Sequence, residues 1–460
     1  MTLLYRGFRD TMSFQIAKLE IKDSLQCLAA LRQRYDNCFL LESATRGDMR
    51  LSRYSFFGFD PEHLIEIKGS SASVDGEEKS VDDPFELLGE YAHKYECDSH
   101  FPFTGGLVGY ISYDSIRYLE NIPDTCEDDL GLADMKFGLY KDGIIIDRFA
   151  NTTYYFTLDR FRFDEVEAVL KEDIEVVNGS GIKGIEHNVG KEAFVRNVLE
   201  AKEHLKAGDI FQVVLSERFD VESDVDPLVF YRNLRELNPS PYMFFLDFDT
   251  KVIGASPESA IRVIGRDIEV NPIAGTRPIG RSHQEDLKLE KELRSDPKEL
   301  AEHMMLVDLA RNDIGKVAEF GSVEVPDLMK VERYSHVQHL VSRVTGTLKD
   351  GLGNIDGFKA TFPAGTVSGA PKIRAMEIID SIETKNRGPY AGCVGYFSAN
   401  GDMDFAIAIR TAVKREKYHI QAGAGIVMDS DPEREYEECR SKAGALFNAL
   451  EGRFEGPDSE

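Results

Sequence analysis

The sequence predicts an α+β fold in which large antiparallel β-sheets pack against helices. Three observations carry that prediction. Strand-like and helical segments follow one another without the regular β-α-β alternation of a parallel sheet. Runs such as "IFQVVLSERF" (210–219) and "MDFAIAIRTAVKR" (403–415) have the period-2 pattern of half-buried strands. Between such runs lie amphipathic helices with clear ends, such as "KEAFVRNVLEAKEHLKAGD" (191–209), stopped by Gly208. With 460 residues the chain is too long for one ordinary core. The expected division is an N-terminal domain of residues 1–185 and a larger domain of residues 186–460, with "VVNGSGIKG" (176–184) as the linker.

Taken in order, residues 14–177 mix short strand-like runs with helical patches. One of these runs, "GGLVGYISYD" (105–114), is echoed by "AGCVGYFSAN" (391–400). Gly106, Val108, Gly109, Tyr110 and Ser112 match Gly392, Val394, Gly395, Tyr396 and Ser398. The echo reads either as two halves built on similar strands or as coincidence. In the strand 210–219, Phe211, Val213, Leu215 and Phe219 form a core face, so Gln212, Val214 and Ser216 point to the opposite side. In 403–415, Phe405, Ile407, Ile409 and Val413 form the core face. Arg410 lies on the other face among Ala406, Ala408 and Ala412. An arginine flanked by alanines has room in front of it, which suits a carboxylate-binding cleft.

Composition excludes some classes of function. Acidic residues outnumber basic ones 81 to 55, for a formal net charge of -26. Nonspecific nucleic-acid or anionic-membrane binding needs the opposite sign. Six cysteines without a CxxC pair indicate a reducing compartment. The N-terminal stretch has no apolar core long enough for a signal peptide, and either Met1 or Met12 serves as the start. A cytoplasmic location is expected.

Two stretches place glutamates three residues apart where a helix begins after Asp-Pro. One is "SDPKELAEHMMLVDLARND" (295–313), with Glu299 and Glu302. The other is "DSDPEREYEECRSKAGAL" (429–446), with Glu435 and Glu438. Capping accounts for part of this pattern. Asp296 and Pro297 suit N-cap and N1, Glu299 suits a capping box, and Ser430 with Glu433 can play the same parts in the second stretch. Glu302 and Glu438 lie beyond the first turn, where capping does not reach. Residues three apart share a helix face, so two such helices could offer four carboxylates to one hard cation, and Mg2+ fits that donor set. No HExxH occurs, and the Glu-x-x-His di-iron pattern is absent from the first helix, where position 300, three before His303, is Leu.

Three further stretches suggest ligand contacts. "TFPAGTVSGAPKIRAMEIID" (361–380) runs a Gly-rich loop into Pro371, read as the first helical position, but lacks the Walker A spacing. Gly423 and Gly425 in "YHIQAGAGIVMD" would let a ligand approach the backbone closely. His339 sits on the strand-like run "SHVQHLVSRVTGTL", where a lone histidine is more often structural than catalytic.

Six stretches occur together in the order found in one family: "PIAGTRPIG", "ELAEHMMLVDLARNDIG", "VERYSHVQHLVSRVTG", "FPAGTVSGAPKIRAMEII", "RGPYAGCVGYFS" and "QAGAGIVMDSDPEREYEECRSKAGAL". The chain resembles the chorismate-utilising enzymes, and among them the component I (large subunit) branch of the anthranilate synthases. Residues 190–450 match closely, and "LLES" (40–43) and "GGLVGYISYD" extend the likeness over most of the rest.

The resemblance implies a chorismate-binding α/β sandwich. It implies amination of chorismate at C2 with loss of the C4 oxygen, then elimination of pyruvate to give anthranilate, the first committed step of tryptophan biosynthesis. By the same likeness, Glu299, Glu302, Glu435 and Glu438 hold Mg2+. Arg410 and Tyr390 hold the enolpyruvyl carboxylate, and Gly423, Gly425, Lys442 and Thr276 add substrate contacts. Glu258 in "GASPES" is the general acid at C4, with Thr366 beside it, and His339 serves the elimination. Gln212 stands where water-using relatives carry a lysine base. Ala274 stands where aminodeoxychorismate synthases, the nearest alternative, typically carry a lysine that attacks C2. Both positions point to ammonia. A tryptophan feedback site would use Ser43, Asn238, Pro239, Tyr242 and Met243, the last four from "NPSPYMFF". A non-catalytic tryptophan-binding regulator would be expected to have lost Glu302, Glu438, His339 or Arg410, and all four are present. Cys393 in "AGCVGYFS" lacks the glycine of a nucleophile elbow, so ammonia is expected from a partner glutamine amidotransferase subunit, component II.

Overall fold

The computed structural model describes residues 10–11, 14–21, 23–44, 52–176, 178–280, 282–333 and 337–453, so Met1 and Met12 lie outside the described residues. Two 12-stranded sheets, antiparallel throughout, form the centre of the molecule. The first runs Ile182–His187, Gln212–Ser223, Tyr418–Ile426, Thr411–Lys414, Lys251–Ser256, Tyr242–Asp247, Cys38–Glu42, Tyr54–Gly58, Asp142–Asp147, Thr152–Thr157 and Gln15–Leu19, with Gly369–Ala370 pairing alongside Gln212–Ser223. The second runs Ile273–Pro278, Val337–Thr347, Asp267–Val270, Ser259–Ile264, Met403–Ile407, Cys393–Ser398, Gly106–Ile111, Met135–Tyr140, His63–Lys68, Ser71–Val74 and Glu77–Ser80, with Glu324–Arg333 beside Val337–Thr347.

Aromatic side chains of both sheets, including Phe39, Phe56, Tyr140, Phe244 and Tyr396, interdigitate between them together with Phe103 from the segment before Gly106–Ile111. The outer face of the first sheet buries Leu40, Ile144, Phe245 and Ile253 with residues of the helices Ser24–Arg34, Pro227–Leu237 and Pro432–Glu451. The outer face of the second buries Leu107, Phe137, Phe397 and Phe405 with residues of Pro84–Ala92, Pro297–Val317, Asn354–Thr361 and Lys372–Ile382. The result is a helix, sheet, sheet, helix sandwich, as the α+β expectation requires.

The sequence echo has a physical counterpart. Gly106–Ile111 and Cys393–Ser398 are antiparallel neighbours, with Gly109 opposite Gly395. Outward from that pair, Met135–Tyr140 corresponds to Met403–Ile407 and His63–Lys68 to Ser259–Ile264, and the first sheet repeats the pattern about Cys38–Glu42 and Tyr242–Asp247. The glycines mark close backbone contacts that obey the same two-fold. A Cβ on Gly106 would lie 2.2 Å from the Phe397 carbonyl oxygen, and one on Gly392 would lie 2.1 Å from that of Ile111. Residues on either side of position 185 therefore contribute strands to both sheets, and "VVNGSGIKG" leads directly into the edge strand Ile182–His187.

The two halves differ by insertions in the second. Between Ser71–Val74 and the helix Pro84–Ala92 the first half has one short strand. The second half places two helices, His283–Ser295 and Pro297–Val317, and three strands in the corresponding interval. Another insertion adds the turn Gly365–Val367 and the helix Lys372–Ile382. These intervals carry Glu299, Glu302, His339 and Thr366, and Tyr390 follows the last of them, just before Cys393–Ser398.

Local readings of the sequence need four corrections. The strand that contains Gln212 begins at that residue, so Phe211 precedes it and is 72% exposed rather than core. Residues 403–415 are not one strand: Met403–Ile407 belongs to the second sheet and Thr411–Lys414 to the first. The chain crosses between them at 408–410, where Arg410 takes φ +49°. Pro371 is the N-cap of its helix, not the first helical residue. The cap before Glu435 is Asp431, whose carboxylate accepts from the Glu433 and Arg434 N–H groups, while Ser430 accepts from the Val427 N–H.

Candidate active site

A cavity of about 570 Å³ opens where the inserted helices meet the ends of the strands. Its walls bring together Gln212, Glu258, Ala274, Thr276, Glu299, Glu302, His339, Thr366, Tyr390, Arg410, Gly423, Gly425, Glu435, Glu438 and Lys442. Residues separated by up to 230 positions in the chain thus line one space.

Glu258 lies between the strands Lys251–Ser256 and Ser259–Ile264 and is buried. Thr366 donates a hydrogen bond of 2.9 Å to its carboxyl. Burial raises the Glu258 pKa to about 8, against a smaller opposing effect of the Thr366 hydroxyl. The group is therefore a protonated acid at neutral pH, poised to give up a proton. His339 is also buried, on Val337–Thr347. Burial first, and the Arg410 charge second, lower its pKa to about 4, so the ring is neutral. Its Nδ1 lies 2.9 Å from the Thr276 hydroxyl and 3.3 Å from the Gly275 carbonyl oxygen. A carbonyl oxygen can only accept, which favours the tautomer with the proton on Nδ1 and Nε2 as the basic nitrogen.

The four glutamates come from two helices that start alike. Asp296 and Asp431 are N-caps, each followed by proline at the first helical position, and each carboxylate accepts from two backbone N–H groups. Glu299 is held by Arg277 at 2.9 Å, and Arg277 also binds Asp296 at 2.8 Å. Glu302 accepts from the Gln212 amide at 3.0 Å. Glu438 pairs with Lys442 at 2.8 Å, and Lys442 donates to the Gly423 carbonyl oxygen at 2.9 Å. Burial raises the pKa of Glu302, and the nearby charges of Glu299 and Glu438 raise it further. Burial, then Glu438, does the same to Glu435. Each carboxylate has its own partner, and among the described residues no group of three or more His, Cys, Asp or Glu side chains is assembled as a metal site.

Arg410 faces the cavity at the crossing between the sheets. Its side chain donates a hydrogen bond of 3.3 Å to the Asn238 amide oxygen, and among the described residues no carboxylate lies within ion-pair distance. Burial lowers its pKa. The glycines of the floor are needed for space: a Cβ on Gly423 would lie 2.6 Å from the Tyr390 hydroxyl, and one on Gly425 would lie 2.5 Å from the Gln212 amide nitrogen. Gln212 Oε1 is buried with no hydrogen-bond partner among the described residues.

Sequence reasoning missed Arg277, which fixes the Glu299 end of the site, and Gln421, which lines the wall and donates to Ser216 at 2.9 Å. Arg277 lies within "PIAGTRPIG", beside Thr276, and that adjacency was the available signal. Cys393 is buried in the hydrophobic core and burial pushes its thiol up, so it packs rather than reacts.

The "LLES" and "NPSPYMFF" segments are neighbours. Glu42 pairs with Met243 across the first sheet, and the Ala44 N–H donates to the Ser240 carbonyl oxygen at 3.0 Å. Tyr242 and Met243 line a second, smaller cavity with Glu42, Arg262, Tyr396 and Asp404. Ser43 is buried next to Glu42 in the chain, and Asn238 and Pro239 lie just before the lining residue Pro241. Asn238 turns toward Arg410.

Residues 36–448 match the model of the chorismate binding enzymes, and the chain belongs to that family. It is similar to anthranilate synthase component 1 of Methanothermobacter marburgensis, with 47% identity over 450 residues covering 96% of each chain. The protein of that name from Thermus thermophilus is 45% identical over 426 residues, covering 90% of this chain and 92% of its own. The crystal structure of anthranilate synthase component I from Streptococcus pneumoniae TIGR4 superposes with a TM-score of 0.80 at 40% identity, covering 86% of this chain and 92% of that one. The menaquinone-specific isochorismate synthase from Escherichia coli shares the fold, with a TM-score of 0.74 at 18% identity and coverage of 97% and 96%.

Proposed function

We propose that this chain converts chorismate and ammonia to anthranilate and pyruvate. The observation that carries the reading is the meeting, in one cavity, of a carboxyl kept protonated (Glu258) and an arginine without a carboxylate partner (Arg410). Chorismate supplies what each lacks: a hydroxyl that must leave protonated and a carboxylate that needs a cation. Ammonia forms the bond to C2 as the ring double bond shifts and the C4–O bond breaks. Glu258 gives its proton to the departing oxygen, which leaves as water, and the new ammonium returns a proton. His339 then assists loss of the C2 proton as the ether C–O bond breaks, the ring aromatises, and the released enol becomes pyruvate. Tyr390, Thr276, Gly423, Gly425 and Lys442 hold and orient the substrate, and Thr366 orients Glu258. Gln212 and Ala274 provide no amine to activate water or to attack the ring, which favours free ammonia over the aminodeoxychorismate alternative.

Glu299, Glu302, Glu435 and Glu438 would hold Mg2+. The fit is supported by an all-carboxylate donor set and by their shared cavity, where burial first and the neighbouring glutamate charges second raise Glu302 and Glu435. When bound, such an ion neutralises repulsion between the glutamates and an anionic substrate and binds one of its carboxylates. The relatives' designation as component 1 supports a second component, a glutamine amidotransferase that supplies the ammonia. Tryptophan is the proposed feedback effector, bound by Ser43, Asn238, Pro239, Tyr242 and Met243. On this reading residues 186–460 carry the chemistry, and residues 1–185 supply part of the effector site. The cytoplasm is the proposed compartment, and among the described residues no helix is long and apolar enough to cross a membrane.

The test is turnover by the isolated chain with chorismate, Mg2+ and ammonium, followed by anthranilate fluorescence, then the same assay with glutamine. Anthranilate with ammonium but not with glutamine is the expected result. An aminated product that retains its enolpyruvyl group, or no turnover, would overturn the reading.

A further inference from the structure

We infer that Asn238 is a positioning residue for catalysis, holding the Arg410 guanidinium toward the substrate cavity without neutralising it. Three other arginines of the interior are tied to carboxylates. Arg387 binds Glu383 at 2.7 Å, Arg218 binds Asp220 at 3.1 Å, and Arg262 lies 3.6 Å from Asp404. Arg410 departs from this pattern, because the side chain that meets it is a neutral amide 172 positions away. Guanidinium nitrogens are all donors, so the amide must present its oxygen. Its nitrogen, Nδ2, is buried with no hydrogen-bond partner among the described residues, so nothing else competes for that orientation.

The amide itself is fixed. Asn238 is the C-cap of the helix Pro227–Leu237, its N–H donates to the Leu234 carbonyl oxygen at 2.8 Å, and its own carbonyl oxygen accepts from the Ser240 hydroxyl at 3.1 Å. Arg410 is held at the other end, where its carbonyl oxygen accepts from the Ala255 N–H at 3.1 Å. A long side chain anchored at its backbone and at one guanidinium nitrogen loses little freedom on meeting a carboxylate. An aspartate at 238 would have the same shape but would satisfy the arginine's charge within the protein.

The inference rests on Arg410 as the contact for a substrate carboxylate, and its test uses the full chain with ammonium as nitrogen source and no tryptophan. Asn238→Ala should raise the chorismate KM about tenfold, the scale of one hydrogen bond to a charged group, with kcat within about twofold. Asn238→Asp should be worse, raising KM on the order of a hundredfold, because a paired arginine must be freed first. A role confined to capping or packing predicts the reverse order, since aspartate is nearly isosteric with asparagine. In an Arg410→Gln background, both changes at 238 should lose their effect on chorismate binding measured by calorimetry. Asn238→Asp binding chorismate as tightly as wild type, or more tightly than Asn238→Ala, would overturn the role of Asn238 alone. A wild-type chain that binds no chorismate would refute the reading of Arg410 and this inference with it.

Discussion

Replacing Glu258 with glutamine should separate catalysis from stability in opposite directions. Burial holds the proton on this carboxyl up to about 8 instead of the ordinary 4.5. At roughly 1.4 kcal/mol per pH unit, that difference amounts to about 5 kcal/mol against the ionised form in the folded protein. Between those two values the folded chain binds a proton that the unfolded chain has released. The stabilising contribution of this site is therefore complete below about pH 4.5 and falls away as pH rises to about 8. Glutamine keeps the shape and stays neutral, so Glu258→Gln removes that slope and should make the protein more resistant to urea above pH 8. The same change removes the acid, and kcat should fall by roughly 10²- to 10⁴-fold. Wild-type kcat should decline as pH rises through about 8. The assay is anthranilate fluorescence with free ammonia held constant across the pH series, alongside urea denaturation at each pH. A variant within threefold of wild-type kcat, or wild-type activity flat to pH 9.5, would refute the assignment.

Three other outcomes follow from the site. His339→Met, similar in volume but unable to exchange protons, should still consume chorismate and ammonia while accumulating 2-amino-2-deoxyisochorismate. Chromatography that finds chorismate loss and anthranilate formation slowed equally, with no intermediate, would count against a role in elimination. Glu302→Gln or Glu438→Gln should lose Mg2+-dependent turnover by about 10- to 100-fold or more, the lower bound being that for loss of a ligand's close support, with the circular dichroism spectrum retained. Near-normal rates at saturating Mg2+ in both variants would sink the metal assignment. Ser43→Phe, which forces a ring into a buried position beside Glu42, should preserve activity without tryptophan and weaken inhibition by it, and unchanged inhibition would place the effector elsewhere.

Local chemistry was the legible part of this molecule. The helix Lys191–Ala207 with its Gly208 stop and the two Asp-Pro starts could be read from a few adjacent residues, because caps act over one turn. The α+β class was legible for a similar reason, since strand and helix periods are local signals. The reading failed where alternation continued through a change of partner. Residues 403–415 keep period 2 while the chain passes from one sheet to the other, and only the positive φ at Arg410 marks the crossing. Phe211 extends the apolar alternation one position beyond the strand and into solvent. Ser430 and Asp431 are both good caps, and the proline at 432 decides between them by requiring its own place at the first helical position. The pairing of Gly109 with Gly395 left only an echo, because strand pairing across so many residues has no local code.

The interleaving of the two halves has a consequence for the nascent chain. Gly106–Ile111 pairs on one side with Met135–Tyr140, which soon follows it, but its other edge must wait for Cys393–Ser398. Cys38–Glu42 must likewise wait for Tyr242–Asp247. At about 10 residues per second, the longer wait on the ribosome is on the order of half a minute. During that time the first half presents unpaired strand edges, the usual starting point for association between chains. Its sequence cannot cover those edges early, but the acidic excess, -26 over the complete chain and present in the first half as well, makes neighbouring unfinished chains repel one another. The acidic composition, which says little about the reaction, thus bears on how the chain survives its own synthesis until the last strands close both sheets.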